Sequence, residues 1–253
     1  MKTKLPLALI LLLLTVFLPA CSRIFLQPET AEQTATNETN IETTAGETHS
    51  PFYVDGVTPE NVITYFNEVC LDAEYVDSGD ASLVQKWVAP IYYTVHGDPT
   101  DEDRLTLTKC IDQLNRIDGF PGIHDANESN NANLQLYFCS QKELIARMGD
   151  NHQDSEGAVT FWYTDNEIYN ATICYRTDLN QELRNSVILE ELYNGLGPIQ
   201  DTQLRTDSII YTDGSYLSLT DVDLLILRLL YHPMVKCGMN AEECENVIRQ
   251  LYY

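Results

Sequence analysis

Two β-rich runs, Ala158–Thr164 and Glu167–Tyr175, are separated only by Asp165-Asn166. Asp and Asn tolerate the left-handed backbone of a two-residue turn, so the pair predicts an antiparallel hairpin. The hydrophobic period then changes from two to nearly four. Asp178 or Asn180 caps a helix running to about Leu196, with Leu183, Val187, Leu192 and Leu196 as its core-facing stripe. A hairpin that passes at once into such a helix must bury one sheet face beneath it, which excludes an all-helical or all-strand fold.

The flanking sequence fits that constraint. Thr58-Pro59-Glu60 starts a helix to about Ala73, with Pro at the first helical position. Trp87–Val95 reads as a strand, Pro90 marking an edge or bulge. Gly97-Asp98-Pro99 is a turn, and Thr100 caps a helix to about Ile117. Gly119–Asn133 reads as a polar loop, Asn133–Cys139 as an alternating strand and Gln141–Met148 as a short helix. Thr220–Tyr231 and Ala241–Leu251 give two closing helices. The expected class is α+β, a small mixed sheet with helices grouped toward the C-terminus.

The amino end is a different kind of chain. Met1-Lys2-Thr3-Lys4 precedes an apolar run from Leu5 to Leu18 that is too short to span a bilayer. It ends Leu18-Pro19-Ala20-Cys21, which resembles the lipobox of bacterial lipoproteins. That resemblance implies cleavage after residue 20 and lipidation of Cys21 by palmitate-type chains. The protein is then extracytoplasmic, with the membrane as a partner through its lipid rather than through a span. Ser22 stands where some double-membrane bacteria place the Asp that retains lipoproteins at the inner membrane. Residues 22–50 are rich in Thr, Glu, Asn and Ala and read as a flexible polar tether. The expected organisation is therefore residues 1–21 signal peptide and lipobox, 22–50 tether, and 51–253 one domain.

Loss of Lys2 and Lys4 from 15 basic residues leaves 13 against 38 acidic ones, a formal charge of −25. Such a chain repels nucleic acid and anionic lipid headgroups, so neither is an expected partner. Six cysteines follow Cys21, an even number that suits disulfides in an exported domain. The expected pairs are Cys70–Cys110, Cys139–Cys174 and Cys237–Cys244, the second joining two strands and the third closing a short loop. A zinc cluster would want Cys-x-x-Cys spacing, which does not occur.

The chemistry rests on Ile188–Tyr231. Glu190-Glu191-Leu192-Tyr193-Asn194-Gly195-Leu196-Gly197-Pro198-Ile199-Gln200 is followed by Ser208-Ile209-Ile210-Tyr211 and by Leu219-Thr220-Asp221-Val222-Asp223 running to Leu230-Tyr231. This resembles the catalytic half of metzincin-type zinc proteases: H-E-x-x-H-x-x-G-x-x-H, a Met-bearing turn and an L-[ST]-x-x-D helix. The resemblance puts Glu191 on the general base and Gly197 on the glycine that turns the chain out of the helix. It puts Glu190, Asn194 and Gln200 on the three metal histidines, and Ile210 on the Met. The stretch is also similar to a domain-of-unknown-function family of bacterial secreted proteins. That family shares E-E-L-x-x-x-L-G, S-I-x-Y, and the ending Leu230-Tyr231-His232-Pro233…Gly238-Met239. The similarity covers about Leu83 to Met239, including Trp87…Pro90, Gly97-Asp98-Pro99 and Ala132-Asn133, and it implies a zincin-like fold but no activity.

A catalytic zinc takes about three protein ligands and keeps one position for water. Glu190 and Asn194 have the i, i+4 spacing that shares a helix face, but Asn and Gln are poor zinc ligands. His49, His96, His124, His152 and His232 contain no i, i+4 pair. No cofactor is therefore expected; the alternative is a divalent ion on oxygen ligands at Glu190. Glu190 and Glu191 also read as an ordinary solvated helix face, or Glu191 as a half-buried, hydrogen-bonded residue. No nucleophile elbow, phosphate loop or dinucleotide fingerprint occurs. The 15 tyrosines fit either a recognition surface or half-buried packing. The preferred expectation is a non-catalytic zincin-like domain that binds a protein or peptide in the cleft between the hairpin and the helix from Asn180. The alternative is a hydrolase using Glu191 with a non-histidine metal site.

Overall fold

A computed structural model describes residues 52–71, 83–128, 131–212, 214 and 216–252. All of them fall in one unit, Glu47–Tyr253. The signal peptide, Cys21 and the tether lie outside the described residues. Six α-helices and six strands follow in the order α1 (Pro59–Leu71), β1 (Lys86–Trp87), β2 (Ile91–Gly97), α2 (Asp101–Leu114), β3 (Ile123–Asp125), β4 (Leu134–Cys139), α3 (Gln141–Met148), β5 (Gly157–Thr164), β6 (Glu167–Arg176), α4 (Gln181–Asn194), α5 (Asp221–Leu230) and α6 (Ala241–Tyr252). None of these helices is long and apolar enough to cross a membrane.

The hairpin forms as expected, with Asp165 and Asn166 at φ 53° and 64°. Its outer strand β5 is the one antiparallel member of a mostly parallel sheet in the order β1-β6-β4-β2-β3, with β5 paired to β6. Since β5 runs along one side of β6, both β4 and the short β1 take the other side, at Ala171–Arg176 and Glu167–Ile168 respectively. The sheet is thus larger than the small one expected. The Trp87–Val95 strand is split in two, because Pro90 lacks an N–H for the ladder. The Gly119–Asn133 loop holds an extra strand, β3, fixed by the Asn115 side chain, which donates to Ile123 O at 2.9 Å and accepts from Ile123 N at 2.8 Å.

Strand alternation sorts the two faces. Ile91, Leu134, Leu136, Phe138, Ala171, Ile173 and Tyr175 are buried in the main core with α1, α2, α4, α5 and α6. Gln135, Tyr137 and Thr172 stand on the opposite face and are only partly buried. Parallel strands are usually covered on both sides; here α3 covers one end of the outer face, through Leu144 packed with Cys139, Ala158 and Cys174.

Three polar devices lock the helical layer. Capping boxes start α2 at Thr100, α3 at Ser140 and α5 at Thr220. Arg184 of α4 donates to Asp103 of α2 at 2.8 Å, the pair almost wholly buried. Burial alone would raise the Asp103 pKa, but bonds from Arg184, Gln181 and Thr100 outweigh it and hold the carboxyl low. Lys86 of β1 is buried and donates to Leu230 O and Val235 O at 2.7 and 2.6 Å, tying the sheet to the end of α5.

The expected disulfides are corrected: the six described cysteines are free thiols. Cys70 and Cys110 lie on α1 and α2 and have different neighbours, Cys70 lying near Cys244 and Cys110 near Asp223. The Cys237 thiol points to Lys86 O at 3.8 Å while Cys244 is buried in the core. Cys139 and Cys174 do lie on adjacent strands, but Cys174 pairs with Tyr137 and Cys139 with Arg176, so they are diagonal rather than opposite.

Candidate functional site

The helix α4 starts at Asn180, whose side chain accepts from Leu183 N at 3.0 Å, and it packs on β5 and β6. Its exit is fixed by three bonds: Trp87 Nε1 donates to Gly195 O at 2.9 Å, Tyr231 Oη donates to Leu196 O at 2.7 Å, and Ile199 N donates to Val69 O at 2.7 Å. Gly197 sits at φ 124°, and a Cβ there would come within 2.6 Å of Gln85 O. Only glycine fits this turn.

The motif residues downstream form a buried network. Tyr65 Oη donates to Ser208 Oγ at 2.7 Å, and Ser208 Oγ donates to Asp223 Oδ1 at 2.6 Å. Asp223 also accepts from Ile209 N and Thr220 N. Burial raises the Asp223 pKa, and these donors pull against it. The Ser208-Ile209 and Thr220…Asp223 motifs therefore hold α1, the 208–211 turn and α5 together, and Ile210 is buried packing.

Glu191 projects from α4 toward the start of β5. A Cβ on Gly157 would meet Glu191 Cγ and Val187 Cγ1 at 2.6 Å and Glu191 Oε1 at 2.7 Å. Gly157 pairs with Tyr175 across the hairpin, so the missing side chain makes room for the carboxyl. Glu191 is not on a solvated face; it is 9% exposed. Burial first, then the charges of Glu190 and Asp201, push its pKa well above the carboxylate range. Glu190 is half-buried; burial, then Asp201 and Glu156, push its pKa up to about 8. Tyr175 is fully buried with no partner for its hydroxyl, and burial and Glu191 raise its pKa as well. Asn194 Oδ1 is another buried atom without a partner.

Of the residues read from the sequence, Glu190, Glu191 and Asn194 share α4 while Gln200 lies beyond the Gly197 turn. They amount to two carboxyls that favour the neutral form and two amides, a donor set that does not fit zinc. Among the described residues no three His, Cys, Asp or Glu side chains are grouped as metal ligands. Sequence reasoning missed Gly157, Tyr175, Glu156 and Asp201. Only Asp201, next to Gln200, had a positional signal.

Comparison with known proteins gives one family: the model described as "Protein of unknown function (DUF2927)" matches residues 59–250. No curated protein and no solved structure matches.

Proposed function

The chain belongs to the DUF2927 family, and on that premise we propose that it is a lipid-anchored lipoprotein of the bacterial envelope whose zincin-like domain binds a protein or peptide rather than cleaving one. The observation that carries the reading is the packing of Glu191 against Gly157, in surroundings that favour a neutral acid. A general base must be ionised at working pH, and a protonated carboxyl donates a hydrogen bond instead. Support for a binding cleft comes from β5, which among the described residues pairs with β6 alone, so its other backbone edge offers hydrogen bonds to an added strand. Trp162, Tyr163 and Tyr169 are exposed on the same hairpin, and aromatic side chains are favoured anchors.

The test is capture of peptides from a random library by the mature protein, with cleavage read by mass spectrometry. Binding without cleavage is expected, weakened in Trp162→Ala and kept in Glu191→Gln. Cleavage that is lost in Glu191→Gln overturns the reading. Cys21→Ser is expected to release the protein from the membrane fraction; retention there would sink the lipid anchor.

A second reading, a hydrolase with an oxygen-ligated divalent ion at Glu190, draws support from the unpartnered Asn194 Oδ1 one helical turn away. Elemental analysis after dialysis against mixed divalent ions decides it: near-stoichiometric metal lost in Glu190→Ala favours the enzyme.

A further inference from the structure

The outer face of the sheet carries a second, small core beneath α3. Its buried members are Cys139, Leu144, Ala158 and Cys174, with Met148 and Tyr137 partly buried against them. Cys139 ends β4 and Cys174 lies on β6, on the same face of adjacent strands. The two side chains are diagonal neighbours across the strand pair, and both are buried in this small core. Met148, the last residue of α3, accepts at Sδ from Thr160 Oγ1 at 3.6 Å. Thr160 is two residues from Ala158, which pairs with Cys174. Three sulfur side chains from three elements thus belong to one small apolar cluster.

We propose that Cys139 and Cys174, with the Met148 thioether as a third donor, form a binding site for a soft monovalent metal ion of the copper(I) class. Thiolate and thioether are the donors that such an ion prefers, and hard cations select oxygen instead. Zinc in a structural site takes four nitrogen or sulfur ligands, and no histidine belongs to this cluster. Cys174 is fully buried and Cys139 is 7% exposed, so bound metal would be shielded from water.

When the ion binds, two S–H bonds break, three metal–sulfur bonds form, two to thiolates and one to the neutral Met148 thioether, and two protons leave to the buffer. The product, two thiolates and one monovalent cation, carries one negative charge. Arg147, one residue before Met148, lies with its guanidinium 3.8 Å from the Tyr137 ring centroid, and its charge acts on both thiols. From the exposed side of α3 Arg147 offsets part of that charge, against Glu143 and Asp178, which act on Cys139, and Glu191, which acts on Cys174.

The experiment is anaerobic titration of the reduced full-length protein with copper(I) against a coloured chelator. One equivalent is expected to leave the chelator, with a near-ultraviolet sulfur-to-metal absorption band. Cys139→Ser and Cys174→Ser should abolish this uptake, Met148→Leu should weaken it, and Cys237→Ser should leave it unchanged. Arg147→Gln, acting from outside the ligand set, should lower affinity by about 10- to 100-fold. Should Cys174→Ser fail to fold, the Cys139 and Met148 variants, at the ends of β4 and α3, carry the test. Uptake equal to wild type in the Cys139→Ser/Cys174→Ser double variant overturns the proposal. So does no uptake by wild type when a thiol assay finds both cysteines reduced, or stoichiometric zinc at these cysteines that copper(I) does not displace.

Discussion

Two buried polar groups, Asp223 of α5 and Glu191 of α4, are built to opposite rules. Around Asp223 every oxygen has a donor: Ser208, Ile209 and Thr220 supply them, and Tyr65 extends the chain. Around Glu191 the neighbours are other acids and a tyrosine whose hydroxyl has no partner. The first group ties three elements together. The second is held in place by the elements around it, at a cost. The contrast separates what builds the fold from what the fold carries.

That contrast can be broken by measurement. Asp223→Ala leaves the buried Ser208 and Ile209 donors and the part-buried Thr220 N without an acceptor, and we expect a loss of about 3 kcal/mol or more in denaturant unfolding. A smaller loss there than at Gly157 would overturn the scaffold assignment. Gly157→Ala drives a methyl into Glu191 and Val187, and about 1–3 kcal/mol is expected. The pH dependence sharpens the other side. Glu190 has a folded pKa of about 8 against 4.5 when unfolded, so the folded state holds the proton more tightly. Its contribution is fully present below about pH 4.5 and is lost as pH rises toward 8. Unfolding at pH 5, 7 and 9 should show wild type losing up to about 1.4 kcal/mol per pH unit relative to Glu190→Gln. A flat difference between the two would mean that Glu190 is solvated. The smallest effect is expected for Glu191→Gln at pH 6, within about 0.5 kcal/mol, because a neutral acid is replaced by a neutral amide. A large loss would show an ionised, hydrogen-bonded carboxylate.

The sequence made the elements legible where local rules decide them. Asp165-Asn166 marks the turn, Thr100 and Asn180 are the caps, and Thr220 lies within a residue of the start of α5. It hid β3, whose three residues have one buried side chain and which is held by Asn115, the C-cap of α2, a contact outside the strand itself. It also hid the environment of the site. Glu191 follows Val187 by one helical turn and so points inward, yet whether an inward carboxyl meets donors or acids depends on Gly157 and Tyr175, some 16 to 34 residues away. Cysteine parity was misleading for a related reason. An even count says nothing of register, and a diagonal offset across β4 and β6 is enough to leave two thiols as neighbours without joining them.

The packing of α1 against α6 bears on the order in which the domain can assemble. Arg249 of α6 reaches Glu60 of α1 at 3.2 Å, and Tyr252 Oη donates to Phe52 O at 2.8 Å. β1 likewise pairs with β6, about 80 residues later in the chain. A chain that emerges amino end first, from a ribosome or an export channel, shows its first helix and first strand to solvent long before their partners follow. Such distant pairings make folding slow and leave apolar surface open to capture by chaperones or proteases. A stop codon that removes only the last helix would leave the apolar face of α1 uncovered, so the carboxy end acts as the closing latch of the fold.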